Sequence, residues 1–298
     1  MSKPTIDIVV TAPNGCGSAY ELLKSLNNQM LSSISVNILE SGGYCDKEHL
    51  ADLNFEVRHT VFDTQLEAQM RVEAFEKSQS DWLMVLEDHV VVAEDFIAEF
   101  IKFIEKNPNS SATTFYALNG TDKSLGSRAL FSWVWGLAAE TLYPAKPEPV
   151  CSAFVVKRSG VIDLLAKKGE KLEPGSLETQ IVPELIRSSN KPEMTRVVLT
   201  HFEGVGLFTG AKAVYSNARI AGHLEKELLT NIGWIKVLIL RFGFRPRQIR
   251  KAAQKSFVET CCLYFLALAG VSGYFLGGLV SIGKASEQLA HAHPRTEL

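Results

Sequence analysis

The sequence predicts an α/β domain built on an open, mainly parallel sheet, followed by a C-terminal segment of amphipathic and transmembrane-type helix. Three observations carry this reading. Short apolar runs alternate with helix-forming runs from residue 6 to residue 105. The apolar runs lack in–out alternation, which fits strands covered on both faces. Thr260–Ile282 then gives 23 residues without a charged side chain.

Ile6–Thr11 is a β-branched strand that ends in the turn Ala12-Pro13-Asn14-Gly15. Tyr20–Asn28 places Leu22, Leu23 and Leu26 on one side of a helix. Ser35–Leu39 is a second strand, closed by Glu40 and the turn Ser41-Gly42-Gly43, and Phe55–Val61 is a third. Thr64–Lys77 lacks Gly and Pro and is rich in helix formers. Trp82–Leu86 is an apolar strand that runs into Glu87-Asp88-His89, and Glu94–Glu105 is an amphipathic helix with Phe96, Ile97, Phe100, Ile101 and Ile104 on one face. Beyond Asn107 the pattern loosens. Ala112–Ala117, Ala153–Lys157 and Arg196–His201 read as strands, and Gly160–Ala166 and Ser176–Ser188 as helices. Leu130–Leu142 carries Trp133 and Trp135, placed to pack in a core or against an acceptor. Pro144, Pro147 and Pro149 mark a linker.

Leu228–Phe244 mixes apolar residues with Lys236 and Arg241, the pattern of a helix at a bilayer surface. Thr260–Ile282 is long enough to cross about 30 Å of hydrocarbon at about 1.5 Å per residue; a buried soluble helix is the alternative. Gly270, Gly273, Gly277 and Gly278 offer small faces for close helix contact. Lys226–Lys255 holds eight basic residues and one acidic one, which favours the cytosolic side for that stretch. The chain thus divides into a domain over 1–225 and a membrane-associated segment over 226–298, with the apolar part at about 260–282. The net charge of −2 argues against a nucleic-acid partner. The five cysteines form no CxxC pair and read as reduced thiols. The start MSKPTIDIVV has no signal-type apolar region, so the first domain is expected in the cytosol.

In open parallel sheets, ligands bind beyond the carboxyl ends of the strands. Glu87-Asp88-His89 sits at such an end, and two carboxylates with an imidazole suit Mg²⁺ or Mn²⁺ holding a diphosphate. An acidic surface loop is the plainer alternative. Gly15-x-Gly17 after the first strand, with Glu40 after the second, matches part of a dinucleotide fingerprint. Tyr20 stands at the third glycine position, however, and Pro13 and Asn14 spoil the tight turn.

Taken in order, these motifs resemble the family 2 glycosyltransferases of GT-A fold (a Rossmann-like nucleotide-diphospho-sugar transferase domain). The resemblance runs over about residues 5–220, and the Glu-Asp-His turn with the basic, apolar C-terminus is similar to a membrane-linked branch of that family. It implies that Ala12 and Pro13 touch the nucleotide, that Glu40 meets the base, and that Arg71, Glu87 and Arg219 serve the donor. It implies metal ligation by Asp88, His89 and His201, with Asp88 taking part in catalysis. Glu178 is implied as general base, with Glu184 as alternative; six residues apart on a helix, they face different ways. Three positions depart from the family pattern: Glu40 replaces Asp, Val72 replaces Asn, and His89 replaces the last metal-binding Asp, which leaves the choice of metal open. The implied activity is an inverting transfer from a nucleotide-sugar donor to a lipid-linked or glycan acceptor at the cytosolic membrane face, assisted by Mg²⁺ or Mn²⁺. Two other readings stand beside it: a membrane-anchored GT-A-like binding protein without catalysis, and an NAD(P)-dependent enzyme built on Gly15-x-Gly17 and Glu40.

Overall fold

The computed structural model describes residues 4–12, 15–27, 29, 33–41, 50–62, 67–120, 124–135, 153–188, 198–202, 206–228, 231–253 and 256–279. The chain forms two compact units, Met1–Leu118 with Glu148–Phe202 and Asn119–Pro147 with Glu203–Leu298. The strands are β1 (Ile6–Ala12), β2 (Ile34–Ser41), β3 (Val57–Phe62), β4 (Trp82–Glu87), β5 (Val90–Val92), β6 (Ala112–Thr114), β7 (Tyr116–Asn119), β8 (Phe154–Lys157) and β9 (Val198–His201). The helices are α1 (Tyr20–Leu26), α2 (Glu67–Lys77), α3 (Phe96–Lys106), α4 (Leu125–Trp135), α5 (Arg158–Lys168), α6 (Val182–Ser188), α7 (Leu207–Leu228), α8 (Asn231–Leu238), α9 (Arg245–Ala253) and α10 (Phe257–Leu279).

In the first unit the main sheet runs β3-β2-β1-β4-β8-β6, and a small sheet runs β5-β9-β7. The four strands β3, β2, β1 and β4 are mutually parallel, whereas β8 pairs antiparallel with both β4 and β6. Val9, Leu83 and Val85 pack with Met70 and Phe75 of α2 and with Val182 and Leu185 of α6. Trp82 turns to the other face, edge-on to Phe100 of α3 at 5.8 Å. Helices on both faces explain why these strands read as continuous apolar runs.

Several elements differ from the sequence expectation for identifiable reasons. Ala112–Ala117 is two strands in different sheets, broken at Phe115, which is fully buried and packs against Phe96 at 5.1 Å. Strand β5, only three residues long, follows the acidic turn directly. Ser176–Ser188 opens with the π-helical stretch Leu177–Ile181 before α6. Pro183 lacks the N–H that a regular helix would direct at residue 179, and the wider turn accommodates that gap. Leu228–Phe244 comprises the last residue of α7, then α8, then a π-helical stretch Ile239–Phe244, with residues 229 and 230 outside the described set. Gly204, Gly206 and Gly210 in sequence suggest a loop, but Leu207–Gly210 is already the first turn of α7. Gly210 lets α7 pack closely on α4 there: a Cβ would meet Leu130 Cδ2 at 2.8 Å. Residues 136–150, with the expected Pro-rich linker, and residues 280–282 lie outside the described residues.

The second unit is helical among its described residues. Leu130, Trp133, Val214, Trp234, Phe242, Leu263, Leu266 and Tyr274 share its core. Trp133 is therefore a core residue, stacked on Phe242 at 6.1 Å with the Arg245 guanidinium 5.5 Å over its ring; the side chain of Trp135 lies outside the described set. Helix α10 packs on α7 backbone to backbone. A methyl group at Gly273 or Gly277 would overlap the main chain of Tyr215 or Arg219, and one at Gly222 would overlap that of Tyr274. The small-residue face read from the sequence is thus used for helix–helix contact.

Candidate active site

The parallel register aligns the strand ends that matter. Ala12 pairs with Glu40 across β1 and β2, and Thr11 pairs with Glu87 across β1 and β4. Glu40, Ala12, Thr11 and Glu87 therefore lie along the carboxyl edge of the sheet, where open α/β sheets bind ligands. Pro13 lies outside the described residues. Glu40 is fully buried, with its Oε1 3.0 Å from His59 Nε2 on β3.

Glu87 closes β4, and Asp88-His89 is the two-residue turn into β5. Strand β5 pairs antiparallel with β9, Val90 opposite His201, and the Phe202 N–H donates to the His89 carbonyl at 2.9 Å. This pairing delivers His201, 112 residues from His89 in sequence, to the turn. His201 Nε2 lies 3.0 Å from His89 Nε2 and 3.0 Å from Glu87 Oε2, and His89 Nε2 lies 3.7 Å from Glu87 Oε2. Two nitrogens and one oxygen converge on one point. Ligand bonds of about 2.1 Å at tetrahedral to octahedral angles separate ligand atoms by about 3.0–3.4 Å; the two 3.0 Å separations meet this and the 3.7 Å one lies a few tenths above it, so the group could hold a divalent cation after a small side-chain shift. Two imidazoles with one carboxylate suit first-row transition metals better than Mg²⁺.

Asp88 is placed one step back from that group. Its Oδ1 lies 2.7 Å from His89 Nδ1, and its Oδ2 accepts from the Ser18 hydroxyl at the turn before α1. A carboxylate on Nδ1 holds the proton there and leaves Nε2 as the lone pair facing Glu87 and His201. The geometry thus brings Glu87 into the ligand group and gives Asp88 an orienting contact. Burial alone would raise the Glu87 pKa, but the His201 hydrogen bond and the nearby His89, His201 and Arg71 charges outweigh it and lower the pKa to about 2.

Arg71 joins this group to the helix carrying Glu178. It is buried on α2, and its Nη1 donates to Glu178 Oε1 at 3.0 Å. Its Nη2 donates to Glu67 Oε2 at 2.5 Å and to Thr11 Oγ1 at 3.1 Å. Burial works against the guanidinium charge, but Glu67 and Glu178 outweigh it and hold the group protonated. Among the described residues, Arg71 Nε and Glu178 Oε2 are buried without a hydrogen-bond partner. Glu178 is brought into the site and Glu184 is not: Glu184 is bonded to Lys168 of α5 at 2.5 Å on the surface. Arg219 lies on α7 of the second unit, with its carbonyl against Gly277 and its Nε buried without a hydrogen-bond partner among the described residues.

Three participants were missed from sequence: Thr11, Ser18 and Glu67. Glu67 alone carried a usable signal, since it stands four residues before Arg71 on one helix face.

The model of glycosyl transferase family 2 matches residues 7–162, more than half of the 298. No curated protein matches the chain. Among solved structures, S. aureus TarS 1–349 in complex with UDP-GlcNAc is similar at 12% identity and a TM-score of 0.44, covering 92% of this chain and 90% of that one. M. tuberculosis glucosyl-3-phosphoglycerate synthase is similar at 12% identity and a TM-score of 0.44, covering 70% of this chain and 76% of that one. The assignment rests on the family match, which spans β1, β2, α2, β4 and the Glu87–His89 turn and ends before Glu178 and His201. The chain belongs to glycosyl transferase family 2 and is a glycosyltransferase with an α/β fold of GT-A type.

Proposed function

We propose that the first unit catalyses an inverting transfer from a UDP- or GDP-linked sugar to a lipid-linked or glycan acceptor at the cytosolic face of a membrane. One observation carries the reading: Glu87, His89 and His201 converge at the carboxyl edge of the sheet, with Arg71 and Glu178 joined to them through Thr11. Glu178 is the general base, taking the acceptor hydroxyl proton as the oxygen attacks the anomeric carbon. Arg71 holds its Oε1, and its Oε2 has no hydrogen-bond partner among the described residues. Glu87, His89 and His201 would hold a divalent cation, Mn²⁺ in preference to Mg²⁺, with Asp88 fixing the His89 tautomer. When bound, such an ion supplies positive charge against the departing diphosphate. Ala12, Pro13 and Glu40 are assigned to the nucleotide. Residues 226–298 are assigned to membrane attachment.

A turnover screen tests this. The full chain is incubated with UDP- and GDP-sugars, Mn²⁺ or Mg²⁺, and lipid vesicles, and nucleoside diphosphate release is measured. Release is expected from one donor class, and His201→Ala is expected to lower it at least about 100-fold, the range of a lost charge-stabilising group. No release from any donor, or full release by His201→Ala, rejects the assignment.

A further inference from the structure

From the structure of the second unit we infer that α10 lies in the plane of the membrane as a one-sided anchor and does not cross it. The inference rests on the membrane attachment proposed above and specifies its form. Helix α10 is apolar all round, so its sequence alone reads as a span. Its two sides have different fates. Thr260, Leu263, Leu266, Gly270, Gly273 and Gly277 are buried within the unit. Phe257, Tyr264, Phe265, Leu268, Phe275 and Leu279 are exposed. These recur at helical spacing and make one apolar stripe along the helix.

What covers the buried side decides between spanning and lying flat. Gly273 meets Tyr215 and Gly277 meets Arg219, so contact positions rise together and α7 runs beside α10 in the same direction. Gly270 meets Val214, which sets exposed Lys212 level with the middle of α10. Exposed Asn217 follows on α7, and at the start of α10 Glu259 is bonded to Arg128 of α4 at 3.2 Å. A spanning α10 would carry α7 with it and set an ammonium at the bilayer centre facing hydrocarbon, where charged groups are strongly disfavoured. Lying flat, the stripe enters the interface by about 5–10 Å and α7 stays on the aqueous side. The occupant of the stripe is an anionic lipid surface: Ile235 and Ile239 add exposed apolar side chains on the segment that packs beside α10, and Lys236, Arg247 and Arg250 of the same unit are exposed cations.

Two measurements on the full chain test this. In the first, single cysteines (Ser256→Cys or Ser281→Cys, native cysteines replaced) are labelled with a membrane-impermeant maleimide in oriented membrane vesicles. Labelling of both positions from the same side is expected; labelling from opposite sides overturns the inference. In the second, flotation on phosphatidylcholine vesicles with and without phosphatidylglycerol is compared for wild type and Leu268→Glu/Leu276→Glu. Binding is expected to require the anionic lipid and to fall at least tenfold in the variant, whose helical circular dichroism stays unchanged. Absence of binding by wild type, with a dimer that the same substitutions dissociate, overturns the inference in favour of a second copy on the stripe. Donor turnover by detergent-solubilised protein reads the catalytic assignment separately, so either reading can fail without the other.

Discussion

Replacing Arg71 by Leu removes the cation that stands between two carboxylates. In the native chain Arg71 donates to Glu178 at 3.0 Å and to Glu67 at 2.5 Å, and the side chains of Glu178 and Glu67 are 13% and 21% exposed. The substitution leaves both carboxylates largely buried without their cation, and breaking a buried pair in this way costs about 3–5 kcal/mol. At about 2–4 °C per kcal/mol for a domain of this size, Tm is expected to fall by roughly 6–20 °C at pH 7. Calorimetry at pH 7 reads that loss directly. The triple variant that also carries Glu67→Gln and Glu178→Gln should regain most of the lost Tm at pH 7. Arg71→Lys should fall between, because one ammonium cannot serve both carboxylates in the forked geometry. A Tm within about 1 °C of wild type at pH 7, or a triple variant that regains none of the loss, refutes the reasoning.

Other expected outcomes follow from the same geometry. The Glu87 pKa is lowered from 4.5 to about 2, so its contribution is present above pH 4.5 and is lost as the pH falls toward 2. Acid unfolding of metal-free protein should show up to about 3 kcal/mol in this window that Glu87→Gln removes. Mn²⁺ at a hundredfold excess over its Kd should raise stability by about 2.7 kcal/mol in thermal melts, and His201→Ala should abolish that gain without abolishing folding. Gly277→Leu forces a side chain into the Arg219 main chain, and should lower the stability of the second unit by about 1–3 kcal/mol or more while leaving the Mn²⁺-dependent gain of the first unit in place.

What was legible in the sequence was local. β1, β2, β4 and α3 were read from apolar runs and helical spacing, because both patterns lie within about ten residues. Strand β5 was not, since Val90–Val92 has too few residues to separate from a loop, and its partner β9 lies over 100 residues on. Missing β5 had a cost at the site. The pairing of Val90 with His201 is what brings Glu87 and His201 together, and along an extended strand a shift of one residue exchanges the faces on which Glu87 and Asp88 point. The link between Arg71 and Glu178 was equally hidden, at a separation of 107 residues. Glycines misled in one place: those after His201 suggested a loop, whereas Gly210 serves close helix packing against Leu130. In α10 the glycines were read correctly as a contact face, but the sequence could not show that α7, a helix with charged residues, takes up that contact.

The stereochemistry of transfer tests the central claim most directly. An anomerically pure α-linked nucleotide-sugar is turned over by the full chain with Mn²⁺ and lipid vesicles, and the product anomer is read by NMR alongside the Glu178→Gln variant. The account predicts a β-linked product, and a fall in turnover of at least about 100-fold in the variant with donor binding unchanged. An α-linked product, or undiminished turnover by Glu178→Gln, would contradict it.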